Sequence, residues 1–200
     1  MPCSPHICPS LYDQRPDLDL SLPAIDGVPP ISAAESQSLV RLPDPVDAAA
    51  QRDLRNALGS FATGVTVITA WDGVAPHGIT VNSFTSVSLA PPLILWCVAE
   101  TASCAPVFVP GRDFSVHVLA SDQEEVALRF ARRSGDKFEG HAWSRGPCGV
   151  PRLPGCAAEF RCRVTERLPG GDHWIVLGEV LAHEVFERAP LLFHRGRFTR

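Results

Sequence analysis

The sequence predicts a closed, mostly antiparallel β-barrel with helices packed outside it. Three observations carry the prediction. Short runs rich in Val, Ile, Thr and Phe recur from residue 65 to residue 194, two stretches alone show helical spacing, and strands do not alternate with crossover helices as a doubly wound sheet requires. Closure is expected because it removes exposed sheet edges. A chain of 200 residues at 45% hydrophobic can bury one core, so one folded domain is the default.

Residues 1–50 differ from the rest. They hold two Arg against seven acids, a net of −5, with nine of the nineteen Pro, one Gly and no apolar period. Such a segment cannot repay its ordering entropy, so 1–50 reads as an acidic, Pro-rich, largely irregular extension and 51–200 as the folded body. In QRDLRNALGSFATG, apolar residues at Leu54, Ala57, Leu58, Phe61 and Ala62 predict an amphipathic helix, with Gly64 as its stop and the core beginning at Leu54. Strands follow at 65–70, 77–84, 85–89, 93–98 and 114–119, separated by Asp72-Gly73, Ala90-Pro91-Pro92 and Pro110-Gly111. Residues 122–133 predict a second helix with acids in its first turn. After a Gly- and Pro-rich stretch, strands at 157–168 and 173–187 form a hairpin through Pro169-Gly170-Gly171-Asp172, and a last strand spans 191–194.

Composition excludes several functions. The net charge of −4 argues against a nucleic-acid surface, and the seventeen Arg beside the single Lys137 are scattered. The longest strongly apolar run, 91–99, is far short of the roughly 20 residues that span a bilayer, and the N-terminus lacks a basic start and apolar stretch, so a cytoplasmic protein is expected. Seven Cys with no C-x-x-C pair read as reduced thiols. Cys3, His6 and Cys8 lack a second ligand pair, so no metal is expected. Rossmann, P-loop and α/β-hydrolase motifs are absent, and HEVFE at 183–187 lacks the second His of a zinc protease.

The segment HGITVNSFTSVSLAPPL, 77–93, crowds Thr80, Asn82, Ser83, Thr85, Ser86 and Ser88 beside an apolar strand. Two readings stand: a solvated turn, or a rim of donors and acceptors for a planar heteroaromatic ligand. The order of residues along the chain adds a third observation. The stretches LRNALGSFATGVTVITA, HGITVNSFTSVSLAPPLILWCV, FSVHVLASDQ, RFARRSGDKFEG, GVPRLPGCAAEFRCRV, GDHWIVLGEV and PLLFHRGRF, which together cover 54–198, resemble the flavin reductase family in family order. These are FMN-binding split barrels, the small components of two-component flavin-dependent monooxygenases. The resemblance implies a homodimer that binds FMN or FAD, reduces it with NADH or NADPH, and supplies a partner oxygenase or halogenase.

It also implies roles. Thr80, Val81, Asn82 and Ser83 match T-x-N-S, which faces the flavin ring and ribityl chain; Ser86 and Ser88 either touch flavin or satisfy the turn before Pro91. Cys97 opens a second flavin segment, CVAETASC, in which Thr101 and Ser103 offer hydroxyls and a following helix start offers amides to phosphate. Cys104 stands where the family has Thr, and Cys97 reads as a small buried residue rather than a nucleophile. Lys137 and Phe138 match D-K-F, as a phosphate counter-charge and a ring cover; the alternative for Lys137 is a solvated charge or helix-end partner. His173 in GDH is the expected catalytic residue, placed to bond the nicotinamide carboxamide. Arg197 and Phe198 match G-R-Y, with the phenol lost. An NAD(P)H:flavin oxidoreductase is the leading expectation. A flavin-bound enzyme acting directly on an organic substrate and a non-catalytic flavin-binding electron carrier are the alternatives.

Overall fold

The computed structural model describes residues 47–133 and 135–199; expectations about 1–46, including Cys3, His6 and Cys8, lie outside the described residues. The first element, α1 (Ala48–Leu58), starts just before the expected boundary at 51, because Asp47 caps it through Oδ1 to the Ala49 amide at 2.8 Å. Its stop is Gly59 and not Gly64. The Gly59 amide closes the last turn on the Arg55 carbonyl, while Gly64 belongs to β1 (Thr63–Gly64), which pairs with β11 (Leu192–His194). The expectation that the core begins at Leu54 is also corrected. No residue of α1 is buried, and Leu58 and Phe61 are 66% and 78% exposed.

Seven strands form one antiparallel sheet. They are β2 (Thr66–Trp71), β3 (Pro76–Val81), β4 (Thr85–Leu89), β5 (Pro92–Ala99), β6 (Asp113–Val118), β9 (Ala158–Gly170) and β10 (His173–Val185), in the order β3-β2-β6-β9-β10-β5-β4. Seven of the eight predicted strands are present in it, and the β9–β10 turn is shorter than expected because β9 runs on to Gly170 while β10 starts at His173 as expected. The eighth predicted strand, 191–194, is β11, which pairs outside this sheet with β1 and with a strand not predicted, β12 (Arg197–Thr199); the short pair β7 (Ser144–Arg145) with β8 (Pro151–Arg152) was not predicted either.

The sheet is mostly antiparallel, as expected, but it is not a closed barrel: among the described residues no ladder joins β3 to β4. The reason is local. β3 is held along α2 (Glu124–Ala131) and the segment after it: the Thr80 hydroxyl donates to the Ala127 carbonyl at 2.7 Å, and Lys137 Nζ donates to the Gly78 carbonyl at 2.9 Å. Gly78 is required there, since a Cβ would lie 2.5 Å from the Phe130 ring.

The sheet nevertheless wraps one core. Ile68, Ile94, Trp96, Phe114, Val164 and Val176 come from five strands, and Trp96 meets Phe108 edge-on at 4.7 Å. On the other face, Phe130 of α2 packs with Phe138, Val67, Leu119 and Leu191. β2 is therefore covered on both sides, with Ile68 in one core and Val67 in the other, which explains why its sequence is a continuous run without polar alternation.

Candidate functional site

Most of the expected site residues fall into four places. The first is a cleft of about 610 Å³, within the range of small-molecule sites, lined by Arg55 and Phe61 from the end of α1, Thr63, Asn82, Phe193 and Arg195. Asn82 and Phe193 also line an adjoining groove with Thr80, Val81 and Phe198. Asn82 is exposed, whereas Thr80 has given its proton to Ala127 and Val81 packs into the core. Thr63 Oγ1 is buried and without a partner among the described residues.

The second place is the turn after β3. Ser83 Oγ accepts from the Cys97 amide at 2.9 Å and faces the Cys97 carbonyl at 3.4 Å, so this hydroxyl ties the T-x-N-S turn to β5. Cys97 is a half-buried free thiol, and burial pushes it up from the ordinary thiol range. The Ser83 hydroxyl pulls the other way, and burial outweighs it.

The third place is a small polar pocket of about 110 Å³ lined by His77, Gly78, Ser103, Cys104, Asp136, Lys137 and Phe138. Lys137 Nζ donates to Gly78 and Phe130 carbonyls at 2.9 and 3.0 Å, closing the C-terminal end of α2. Burial pulls its ammonium down from the usual value. Phe138 is buried edge-on against Phe130 at 5.0 Å and forms the pocket's apolar wall. The helix expected after Ser103 is a single 3₁₀ turn, Ala105–Val107, because Pro106 removes a donor; the Ala105 amide is already bonded to the Ala102 carbonyl.

The fourth place is the β9–β10 hairpin. His173 pairs with Ala99 across β10 and β5, and the Glu100 amide donates to the Asp172 carbonyl at 3.0 Å, so the histidine stands beside the first half of the CVAETASC segment. Its Nδ1 lies 2.6 Å from Asp172 Oδ1, and this bond holds the Asp172 carboxyl below its ordinary range. A carboxylate only accepts, so Nδ1 carries hydrogen and Nε2 is the ring nitrogen left to a ligand. Thr101 is exposed just beyond β5. Ser86 and Ser88 sit on β4 and line none of these places; Ser88 Oγ accepts from the Ala90 amide, at 3.2 Å, inside the turn.

A flavin reductase like domain matches residues 58–200. The chain belongs to that family. Among curated relatives, it is 46% identical to the FMN reductase (NADH) SmoA of Agrobacterium fabrum over 74% of this chain and 85% of that one. It is 46% identical to the actinorhodin polyketide dimerase of Streptomyces coelicolor, over 76% and 87%, and 41% identical to the reductase subunit HsaB of a flavin-dependent monooxygenase from Rhodococcus jostii, over 74% and 76%. The NADH:FAD oxidoreductase SgcE6 of Streptomyces globisporus, solved in complex with NAD and FAD fragments, is similar in structure with a TM-score of 0.72 and 41% identity, covering 79% of this chain and 96% of that one.

Several lining residues of this flavin reductase family member escaped sequence reasoning. Thr63, Phe193 and Arg195 arrive through the pairing of β1 with β11, whose two- and three-residue strands carry no period. His77 was visible, since it directly precedes the G-I-T-V-N-S run, but nothing in the sequence shows that Ser103 and Lys137 close on it.

Proposed function

We propose that this chain is an NAD(P)H:flavin oxidoreductase that reduces FMN or FAD and supplies reduced flavin to a partner oxygenase or halogenase. The observation that carries the reading is the gathering, at the two ends of β3, of residues distant in sequence: Ser103 and Lys137 at the Gly78 end, Thr80 and Asn82 at the other. From residue 77 to residue 82 a strand extends about 17 Å, comparable to a flavin mononucleotide from ring to phosphate. The donor set suits that ligand. A cation and a hydroxyl lie at one end for phosphate, Asn82 and the unpartnered Thr63 hydroxyl at the other for the polar ring edge.

Bound flavin supplies the two-electron acceptor. The chain's part is to position: Asp172 holds the His173 ring, and Nε2 bonds the nicotinamide carboxamide so that the donor carbon approaches the ring. A fold of the split-barrel type belongs to the same proposal, as does a homodimer, which the exposed Leu54, Leu58, Phe61 and Leu89 support. So do the acidic 1–50 extension beside a 51–200 body and a cytoplasmic setting; among the described residues no helix is long and apolar enough to cross a membrane.

Purified protein is expected to oxidise NADH or NADPH only with FMN, FAD or riboflavin present. Turnover independent of flavin sinks the reading. The polyketide dimerase among its relatives favours a second reading, direct action on an organic substrate. Flavin that stays bound through gel filtration and is reoxidised by an aromatic polyketide, with no reduced flavin released, selects it.

A further inference from the structure

The polar pocket beside β3 contains a group with no role so far, His77. Its Nε2 lies 2.7 Å from Asp72 Oδ2, and Asp72 is itself anchored, with Oδ1 accepting from the Val74 and Ala75 amides at 2.7 Å each. Those bonds hold the Asp72 carboxyl far below its ordinary range, so it stays an acceptor and Nε2 carries the hydrogen. Nδ1 of His77 is then the nitrogen left over. Across the pocket, Lys137 has two of its three ammonium protons on the Gly78 and Phe130 carbonyls, which leaves one. Ser103 adds an exposed hydroxyl. The one carboxylate lining the pocket, Asp136, is engaged by its Oδ1 with the Phe138 and Glu139 amides at 2.8 and 3.1 Å.

We infer that His77, oriented by Asp72, is the third arm of a phosphate-ester cradle with Lys137 and Ser103, and that it sets how strongly the protein prefers a phosphorylated flavin to riboflavin. This rests on the flavin reading above. The imidazole bonds the ester in either protonation arrangement. An imidazolium Nδ1–H donates to a phosphate dianion, or a neutral Nδ1 accepts from the monoanion's P–OH, and both contain the same single proton. Asp72 contributes by fixing the ring and is a positioning residue; His77 touches the ligand. Gly78 lets the β3 backbone come close enough to Phe130 and Phe138 for Lys137 to reach across.

The test compares dissociation constants for FMN and riboflavin by fluorescence titration in wild type, His77→Ala and Asp72→Asn, beside their melting temperatures. Wild type binds FMN more tightly than riboflavin. His77→Ala weakens FMN by about tenfold, the scale of one charge-assisted hydrogen bond, and leaves riboflavin unchanged; Asp72→Asn moves FMN the same way by less. If His77→Ala does not fold, His77→Gln is measured in its place. Equal weakening of both flavins, or of neither, overturns the inference. A lost preference for NADPH over NADH with the FMN-to-riboflavin ratio intact also overturns it, since the pocket then serves the nucleotide's phosphate. Wild type that binds both flavins equally removes the cradle while the reductase reading stands. Wild type that binds no flavin at all removes the reductase reading and the cradle with it.

Discussion

Two histidines in this chain have opposite surroundings. His117 lies on β6 in the interior, fully buried; its Nδ1 donates to the Val67 carbonyl at 3.2 Å and its Nε2 accepts from the Leu153 amide at 3.1 Å. His173 stands at a hairpin, its side chain 44% exposed, with one nitrogen on an exposed carboxylate and the other open. The first has both nitrogens engaged by backbone and none to offer a ligand. Burial pushes His117 down to about 4, against the pull of Glu159 nearby, so the ring is neutral in the folded protein at neutral pH. Glu159 is itself held by Arg152, whose Nε reaches both carboxylate oxygens at 3.0 and 2.8 Å. A histidine becomes available for chemistry when the fold leaves a nitrogen unfilled, and the residue type does not decide it.

The sharpest way to break this contrast is His117→Ala. It leaves a cavity and strands the Val67 carbonyl and Leu153 amide, so unfolding free energy is expected to fall by roughly 3 kcal/mol or more, read by denaturant melts. If the variant is as stable as wild type, His117 is not structural.

The second effect is pH dependence of the wild type. The unfolded ring protonates near 6.5 and the folded ring only near 4. Between those values the unfolded state binds more protons, so stability drops as pH falls from 6.5 towards 4, by about 3 kcal/mol from this group. In His117→Ala that component of the slope is absent. An identical slope in both proteins refutes the assignment.

His173→Ala is expected to change kinetics and not stability. Its kcat/KM for NAD(P)H should fall about a few-fold to tenfold, one hydrogen bond in an open site, with melting temperature and flavin affinity unchanged. Flavin loss with fast reduction of the remaining bound fraction would make His173 a cofactor-shell residue instead. The smallest effect belongs to Asp172→Asn, which still accepts from Nδ1: about two- to threefold in KM for NAD(P)H, with kcat held. A drop as large as that of His173→Ala shows that the Asp172 charge itself matters.

The long elements were legible because their periods are. β2, β5, β9 and β10 carry Val, Ile, Thr and Phe in runs that only a sheet accommodates, and α2 has an apolar stripe that its neighbours bury through Ala127 and Phe130. The same stripe logic failed at α1. Amphipathicity states that a face prefers cover, not what covers it, and Leu58 stays 66% exposed. Barrel closure was inferred from a general preference against edges, and the bonds of Thr80 and Lys137 along β3 overrode it.

Sequence alone determined the seven strands of the large antiparallel sheet, the second helix and, through the order of T-x-N-S, D-K-F and GDH, the family, because these are encoded by contiguous residues. Only the tertiary structure decided which of those groups are free to act. Ser83 is turned onto Cys97 and Thr80 onto Ala127, while Thr63 Oγ1 has no partner among the described residues and His77 lines one pocket with Lys137 and Ser103. Hydrogen-bond satisfaction depends on partners from elsewhere in the chain, and these meet only when the sheet has folded.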